Sequence, residues 1–204
     1  MNECLNRQIG FTLIELIMVI VIVSILSVVA IPRYIQIAND ARVAALQGVA
    51  GNFSAAVISA RVQWEADGRP REPFPDGFLN QVRYDGTLFN LTSSDIRGRA
   101  GYPFSLSGQG SDQLSAVSAQ DCLDLMGGLL QSPPSATLDD KAAVSGQYQY
   151  FVRAEVVSGH RLCRYYQLAS ASDFWTGMKS ITAGHSFIYT PALGRIDMKI
   201  EHNN

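Results

Sequence analysis

The sequence predicts an α+β protein: one long N-terminal helix, the first half of it able to span a membrane, packed on an antiparallel sheet of about four strands. Three observations predict it. Phe11 to Ile31 is apolar at every position except Thr12, Glu15, Ser24 and Ser27. Small and apolar residues then recur at helical spacing toward residue 60, and from Gln147 onward the period changes to two.

At about 1.5 Å per residue, a helix over the apolar run is roughly 32 Å long, matching a hydrocarbon core of about 30 Å. Its many Ile and Val residues are modest helix formers in water. In lipid a helix satisfies its own backbone hydrogen bonds, so the bilayer overrides that propensity. Pro32 removes a helical hydrogen bond and crowds the preceding turn, which predicts a kink or local unwinding. Beyond it Ile37, Ala41, Ala44, Ala45, Gly48, Phe53, Ala56 and Ala60 form a stripe at spacings of about three and four. The helix is therefore expected to resume over 32–63.

Residues 64–145 read as a loop-rich connector, punctuated by proline and glycine, with turns at Asp67-Gly68, Pro75-Asp76-Gly77 and Asp85-Gly86. Within it Ser118, followed three residues later by Asp121, caps a short helix near 119–131 with Cys122, Leu125, Met126, Leu129 and Leu130 on its apolar face. Ser132-Pro133-Pro134 stops that helix. Residues 146–204 read as the sheet. Tyr148, Tyr150, Val152, Ala154 and Val156 alternate with Gln149, Arg153 and Glu155, and Ser158-Gly159-His160 makes a hairpin loop. A strand over 161–170 carries Cys163, Tyr165, Gln167 and Ala169 on one face, and a second hairpin joins 185–190 to 194–200.

With 204 residues and 47% hydrophobic content, the chain fits one globular domain plus an accessory segment. A formal charge of −2 and the lack of any long Lys or Arg run give no pull toward nucleic acid. The three histidines, His160, His185 and His202, are scattered, and no His-x-x-x-His, Cys-x-x-Cys or Gly-x-Ser-x-Gly pattern occurs. No catalytic residue, metal site or cofactor is expected. Asp139-Asp140, the one adjacent acidic pair, reads as a solvated turn, and Gly108-Gln109-Gly110 lacks the context of a phosphate loop. Of three cysteines, Cys4 precedes the apolar run. If the first ten residues are removed, Cys122 and Cys163 remain as an even pair, which in an exported domain suggests a disulfide and in the cytosol two separate thiols.

The first ten residues are short and polar, and the apolar run after them is longer than the 7–15 residues of an ordinary signal peptide. Val28-Val29-Ala30 is the alternative cleavage site for ordinary secretion. At the other end of the run, Gly10 offers a protease a backbone unobstructed by a side chain. Glu15 is the costly residue: an acid at the centre of a membrane helix costs about 2.5 to 3.5 kcal/mol on insertion scales. Near the helix end it reaches the head groups. It also lies four residues beyond Phe11, on the same helical face, within reach of an ammonium group.

Gly10-Phe11-Thr12-Leu13-Ile14-Glu15 followed by the long apolar run closely resembles the class III signal of type IV pilins and type II secretion pseudopilins. The resemblance implies that 1–10 is a leader, cut by a prepilin peptidase between Gly10 and Phe11, and that Phe11 is then N-methylated. It implies that 11–31 anchors the chain once in the inner membrane with the rest in the periplasm. Glu15 then pairs with the Phe11 amine of an adjacent subunit, specifying register more than adding stability. The implied partners are other pilin subunits and the pilus assembly machinery, and the destination is a surface fibre for adhesion or motility. Many type IV pilins carry a C-terminal disulfide region, here Cys122 to Cys163. Gly101-Tyr102-Pro103, the Cys122-helix-proline order and Phe187-Ile188-Tyr189-Thr190-Pro191-x-x-Gly194 look most like mannose-sensitive haemagglutinin pilins and point toward a minor B-type subunit. A pseudopilin, or a membrane-anchored exported protein with no filament role, is the alternative.

Overall fold

The computed structural model of the chain describes residues 11–75, 77–94, 98–171 and 180–201. The leader residues 1–10, including Cys4 and Gly10, lie outside the described residues, as do Asp76 of the expected turn and His202. The chain divides into two units between Ala41 and Arg42.

Helix α1 (Leu13–Ala66) starts in the first unit and ends in the second. It is unbroken through Pro32, so the local unwinding expected there is not seen. A proline costs the helix one N–H donor and crowds one carbonyl; the turns on either side hold their own bonds and carry the helix past it. Phe11 to Ile31 is exposed apart from a half-buried Ser27, and the hydroxyls of Ser24 and Ser27 donate to the carbonyls of Ile20 and Val23, 2.6 and 2.7 Å away. Each polar side chain of the run is thus bonded back onto its own helix, which makes it tolerable in an apolar solvent.

The second unit contains two sheets. The first is an antiparallel meander of β1 (Arg71–Phe74), β2 (Gly77–Tyr84), β3 (Thr87–Leu91) and β4 (Pro103–Leu106). The sequence makes this stretch a loop-rich connector, and here the structure differs. Val82, Phe89, Leu91 and Phe104 enter the core, while the opposite face carries Gln81, Asn90 and Ser105, covered by the chain around Ser107 to Asp112. Asn90 Nδ2 donates to Ser105 Oγ at 3.0 Å and to the Ser111 carbonyl at 3.3 Å, and Gln81 Nε2 donates to Asn90 Oδ1 at 3.1 Å and Ser107 Oγ at 2.9 Å. Asn90 and Ser105 are fully buried. Strands covered on both faces, with a hydrogen-bonded polar layer on one, resemble loop in composition.

After β4 come helix α2 (Ala119–Leu129), β5 (Ala136–Thr137) and the short α3 (Asp140–Val144). The second sheet has the order β5-β6-β7-β8-β9, with β6 (Tyr150–Val157), β7 (His160–Gln167), β8 (Ser186–Thr190) and β9 (Arg195–Lys199). Those four are antiparallel and are the sheet that the period of two predicts; β5 adds a parallel edge strand. Ser158 and Gly159, both at positive φ (51° and 78°), close a two-residue turn between Val157 and His160, so His160 belongs to the strand and not to the loop.

Helix α1 buries Leu46, Ala50, Phe53, Ala56, Val57, Ala60 and Trp64. The expected stripe is right from Phe53 onward and wrong before it, because Ala44, Ala45 and Gly48 are exposed. Leu46 and Ala50 continue the spacing of four and three back from Phe53, and Leu46 removes more apolar surface from water than an alanine can. The Phe53 ring lies 5.6, 5.7 and 5.3 Å from those of Tyr165, Phe187 and Tyr189, and Tyr165 stacks on Phe187 at 4.5 Å. The buried hydroxyls of Tyr165 and Tyr189 donate to the carbonyls of Cys122 and Pro103, both at 2.7 Å. This satisfies the two polar atoms that such an aromatic core would otherwise strand.

Candidate processing and assembly site

Phe11 is 84% exposed and immediately precedes the helical turn. Thr12 caps that turn. Its amide and its hydroxyl donate to Glu15 Oε2 at 3.2 and 3.1 Å, and the Glu15 amide donates back to Thr12 Oγ1 at 3.3 Å. The reciprocal arrangement is a capping box, satisfying orphan donors of the first turn and placing a carboxylate at the positive end of the helix dipole. The Thr-x-x-Glu spacing of a capping box is present in the sequence at 12–15. Both capping bonds use Oε2; Oε1 makes no hydrogen bond among the described residues. Among the described residues the cap therefore leaves one carboxylate oxygen without a donor. Gly10, the other expected processing residue, lies outside the described residues.

Within the second unit, Cys122 and Cys163 are joined, with Cα atoms 5.4 Å apart, linking α2 to β7. Both are fully buried. Ser118 and Asp121 form the capping box of α2, and Asp121 does more than cap. Its Oδ2 also accepts the Ser111 hydroxyl at 2.7 Å, and its Oδ1 accepts the Ser111 amide at 2.8 Å. Burial pushes this carboxyl up, but the Ser118 and Ser111 donors outweigh it and hold the group below its ordinary value. Asp139 caps α3 through the Lys141 amide, and Asp140 lies 3.5 Å from Arg153. Among the described residues, no group of three or more His, Cys, Asp and Glu could hold a metal ion.

α1 is long and apolar enough in its first part to cross a membrane, with none of that window buried within the chain. No characterised protein and no solved structure matches the chain. The family model of the prokaryotic N-terminal methylation motif matches residues 5–31, which span the expected cut, Glu15 and the apolar run. This amino-terminal segment accordingly carries the prokaryotic methylation motif, which supports a type IV pilin-like or pseudopilin-like prepilin and fits processing by prepilin peptidase and membrane anchoring.

Proposed function

We propose that the chain is a structural subunit of a type IV pilus of the mannose-sensitive haemagglutinin kind, assembled through α1 into a surface fibre for adhesion or motility. In this reading residues 1–10 are removed, Phe11 carries the new methylated amine, and 11–31 holds the subunit in the inner membrane with the second unit in the periplasm until assembly. The observation that carries it is the methylation motif over 5–31, which takes in an apolar helical run with none of its membrane-length window buried among the described residues. Glu15 Oε1, without a hydrogen bond among the described residues, and the exposed Phe11 support the pairing of that carboxylate with a neighbour's amine. A type II secretion pseudopilin shares the same N-terminal physics; the Cys122–Cys163 bridge favours the pilus.

Filaments sheared from intact cells test the reading. Mature chain in them, with a methylated Phe11 by mass, supports it. Processed chain found only in the membrane fraction, in cells that otherwise make filaments, refutes the pilus role.

A further inference from the structure

We propose that the edge of the first sheet holds a binding site for an oxyanion carried on a ring, with Arg71 as the anion-recognising residue and Phe78 as the ring-contacting one. A depression of about 410 Å³ there is lined by Trp64, Arg69, Arg71, Phe78, Asn80 and Ser93, among others, and no carboxylate is among the described residues that line it. The β1–β2 register sets its chemistry. Arg71 pairs with Asn80 and Pro73 with Phe78, so these four share one face, whereas the neighbouring acid Glu72 pairs with Leu79 on the other.

The two arginines differ. The Arg69 Nε lies 2.6 Å from Glu65, which compensates its charge. Arg71 has no ion pair or hydrogen bond among the described residues, and its guanidinium sits over the Phe78 ring at 5.9 Å. A guanidinium resting on an aromatic face is weakly hydrated and keeps its planar fork of donors for a carboxylate, sulfate or phosphate. Phe78 is 64% exposed, a large apolar surface that the chain leaves uncovered. It also borders a second depression of about 250 Å³, lined by Phe74, Leu79, Leu91, Phe104 and Leu114 and, among its polar residues, Asp112. Both depressions share Gly77, Phe78 and Ser93. A ligand can thus place its oxyanion at Arg71 and its ring against Phe78. The combination of a few fixed polar groups with an apolar wall is that of small-molecule sites.

This site does not rest on the filament reading, because binding is measured on the isolated chain. Inorganic phosphate and phenyl phosphate are titrated into the detergent-solubilised full-length protein by calorimetry, with circular dichroism confirming that each variant is folded. Both should bind saturably, phenyl phosphate at least tenfold more tightly. Arg71→Gln should weaken both at least tenfold, and Phe78→Ala should bring phenyl phosphate down to the level of inorganic phosphate. Arg83→Gln, an exposed arginine elsewhere on the sheet, should change neither. The proposal is overturned if the wild type shows no saturable binding, if Arg71→Gln binds as the wild type does, or if Arg83→Gln loses as much as Arg71→Gln.

Discussion

The Tyr102 ring lies directly over Gly194, so close that a Cβ on Gly194 would stand 2.1 to 2.3 Å from its carbons. Beside them the Arg99 amide donates to the Ala192 carbonyl at 2.8 Å, and Arg61 of α1 rests its guanidinium on the Tyr102 ring at 4.6 Å. Gly101-Tyr102-Pro103 and the Thr190-to-Gly194 turn, far apart in sequence, therefore form one contact that ties the first sheet, the second sheet and the end of α1 together.

Gly194→Ala should destabilise the second unit by about 3 kcal/mol. Its φ of 61° costs an L-residue roughly 1 to 2 kcal/mol, and displacing the buried Tyr102 ring adds a comparable amount. Gly146→Ala is the control, since its φ is 80° but an added Cβ meets nothing within 4 Å. It should lose only the backbone part, about 1 kcal/mol. Denaturant unfolding of both variants checks this, and equal losses would remove the ring contact from the account.

The Cys122–Cys163 bridge closes a loop with a sequence separation of 41, for which the chain-entropy model gives about 4 kcal/mol. Since both cysteines are wholly buried, reductant should act only on opened molecules. Native protein in dithiothreitol should resist alkylation by mass for far longer than protein in denaturant with the same reductant. Cys163→Ser should lower stability by a few kcal/mol, and rapid reduction of the native chain would contradict the burial.

Asp121 gives the second unit a defined response to acid. Its carboxyl is held below the ordinary value in the folded chain, so the stabilisation is full above the unfolded value of about 4 and is lost as pH falls through the lower folded one. Asp121→Asn keeps the size but presents an amide where Ser111 and Ser118 offer donors. At neutral pH it should cost about 2 kcal/mol. That difference from wild type should shrink below pH 4, and urea titrations between pH 7 and 3 measure it. A difference independent of pH would show that shape, not charge, is what Asp121 supplies.

What the sequence shows and hides follows from which faces are covered. β6 and β7 put Tyr150, Val152, Cys163 and Tyr165 on a core face with charged residues such as Arg153 and Arg164 opposite, and alternation of that kind is visible without a structure. β2, β3 and β4 bury Asn80, Asn90 and Ser105, whose partners come from loops such as 107–112, so pattern alone cannot announce them. Asp85-Gly86 was legible as a turn. Its two positive φ values, 47° and 80°, make it the hairpin turn between Tyr84 and Thr87, a step that the missing apolar alternation on either side concealed. At the amino terminus the sequence marks Glu15 as an acid in an apolar run, and the Thr12–Glu15 capping bonds explain how the first turn holds it.

A glutamate that caps its own helix, as Glu15 does through Thr12, needs no partner in another subunit to explain it. Glu15→Leu removes both the cap and the charge, so a loss of filaments in that variant leaves the two roles confounded. Glu15→Gln separates them. Glutamine also serves at the third position of a capping box, and its carbonyl oxygen can take the Thr12 amide and hydroxyl that Oε2 now accepts. The charge is gone. If capping is the whole role, Glu15→Gln should be processed and assembled like the wild type, while Thr12→Val, which deletes the capping hydroxyl, should impair both the helix start and assembly. If the carboxylate neutralises the Phe11 amine of a neighbour, Glu15→Gln leaves that ammonium unpaired among apolar helices, where the loss of one partner of a buried pair costs about 3 to 5 kcal/mol. Processed protein should then accumulate in the membrane and filament incorporation should fall by tenfold or more, with Thr12→Val the milder of the two. The quantity to compare is the ratio of sheared-filament to membrane-bound processed chain in cells lacking the wild-type copy. The pairing role predicts a low ratio for Glu15→Gln, and a wild-type ratio assigns Glu15 to the helix cap alone.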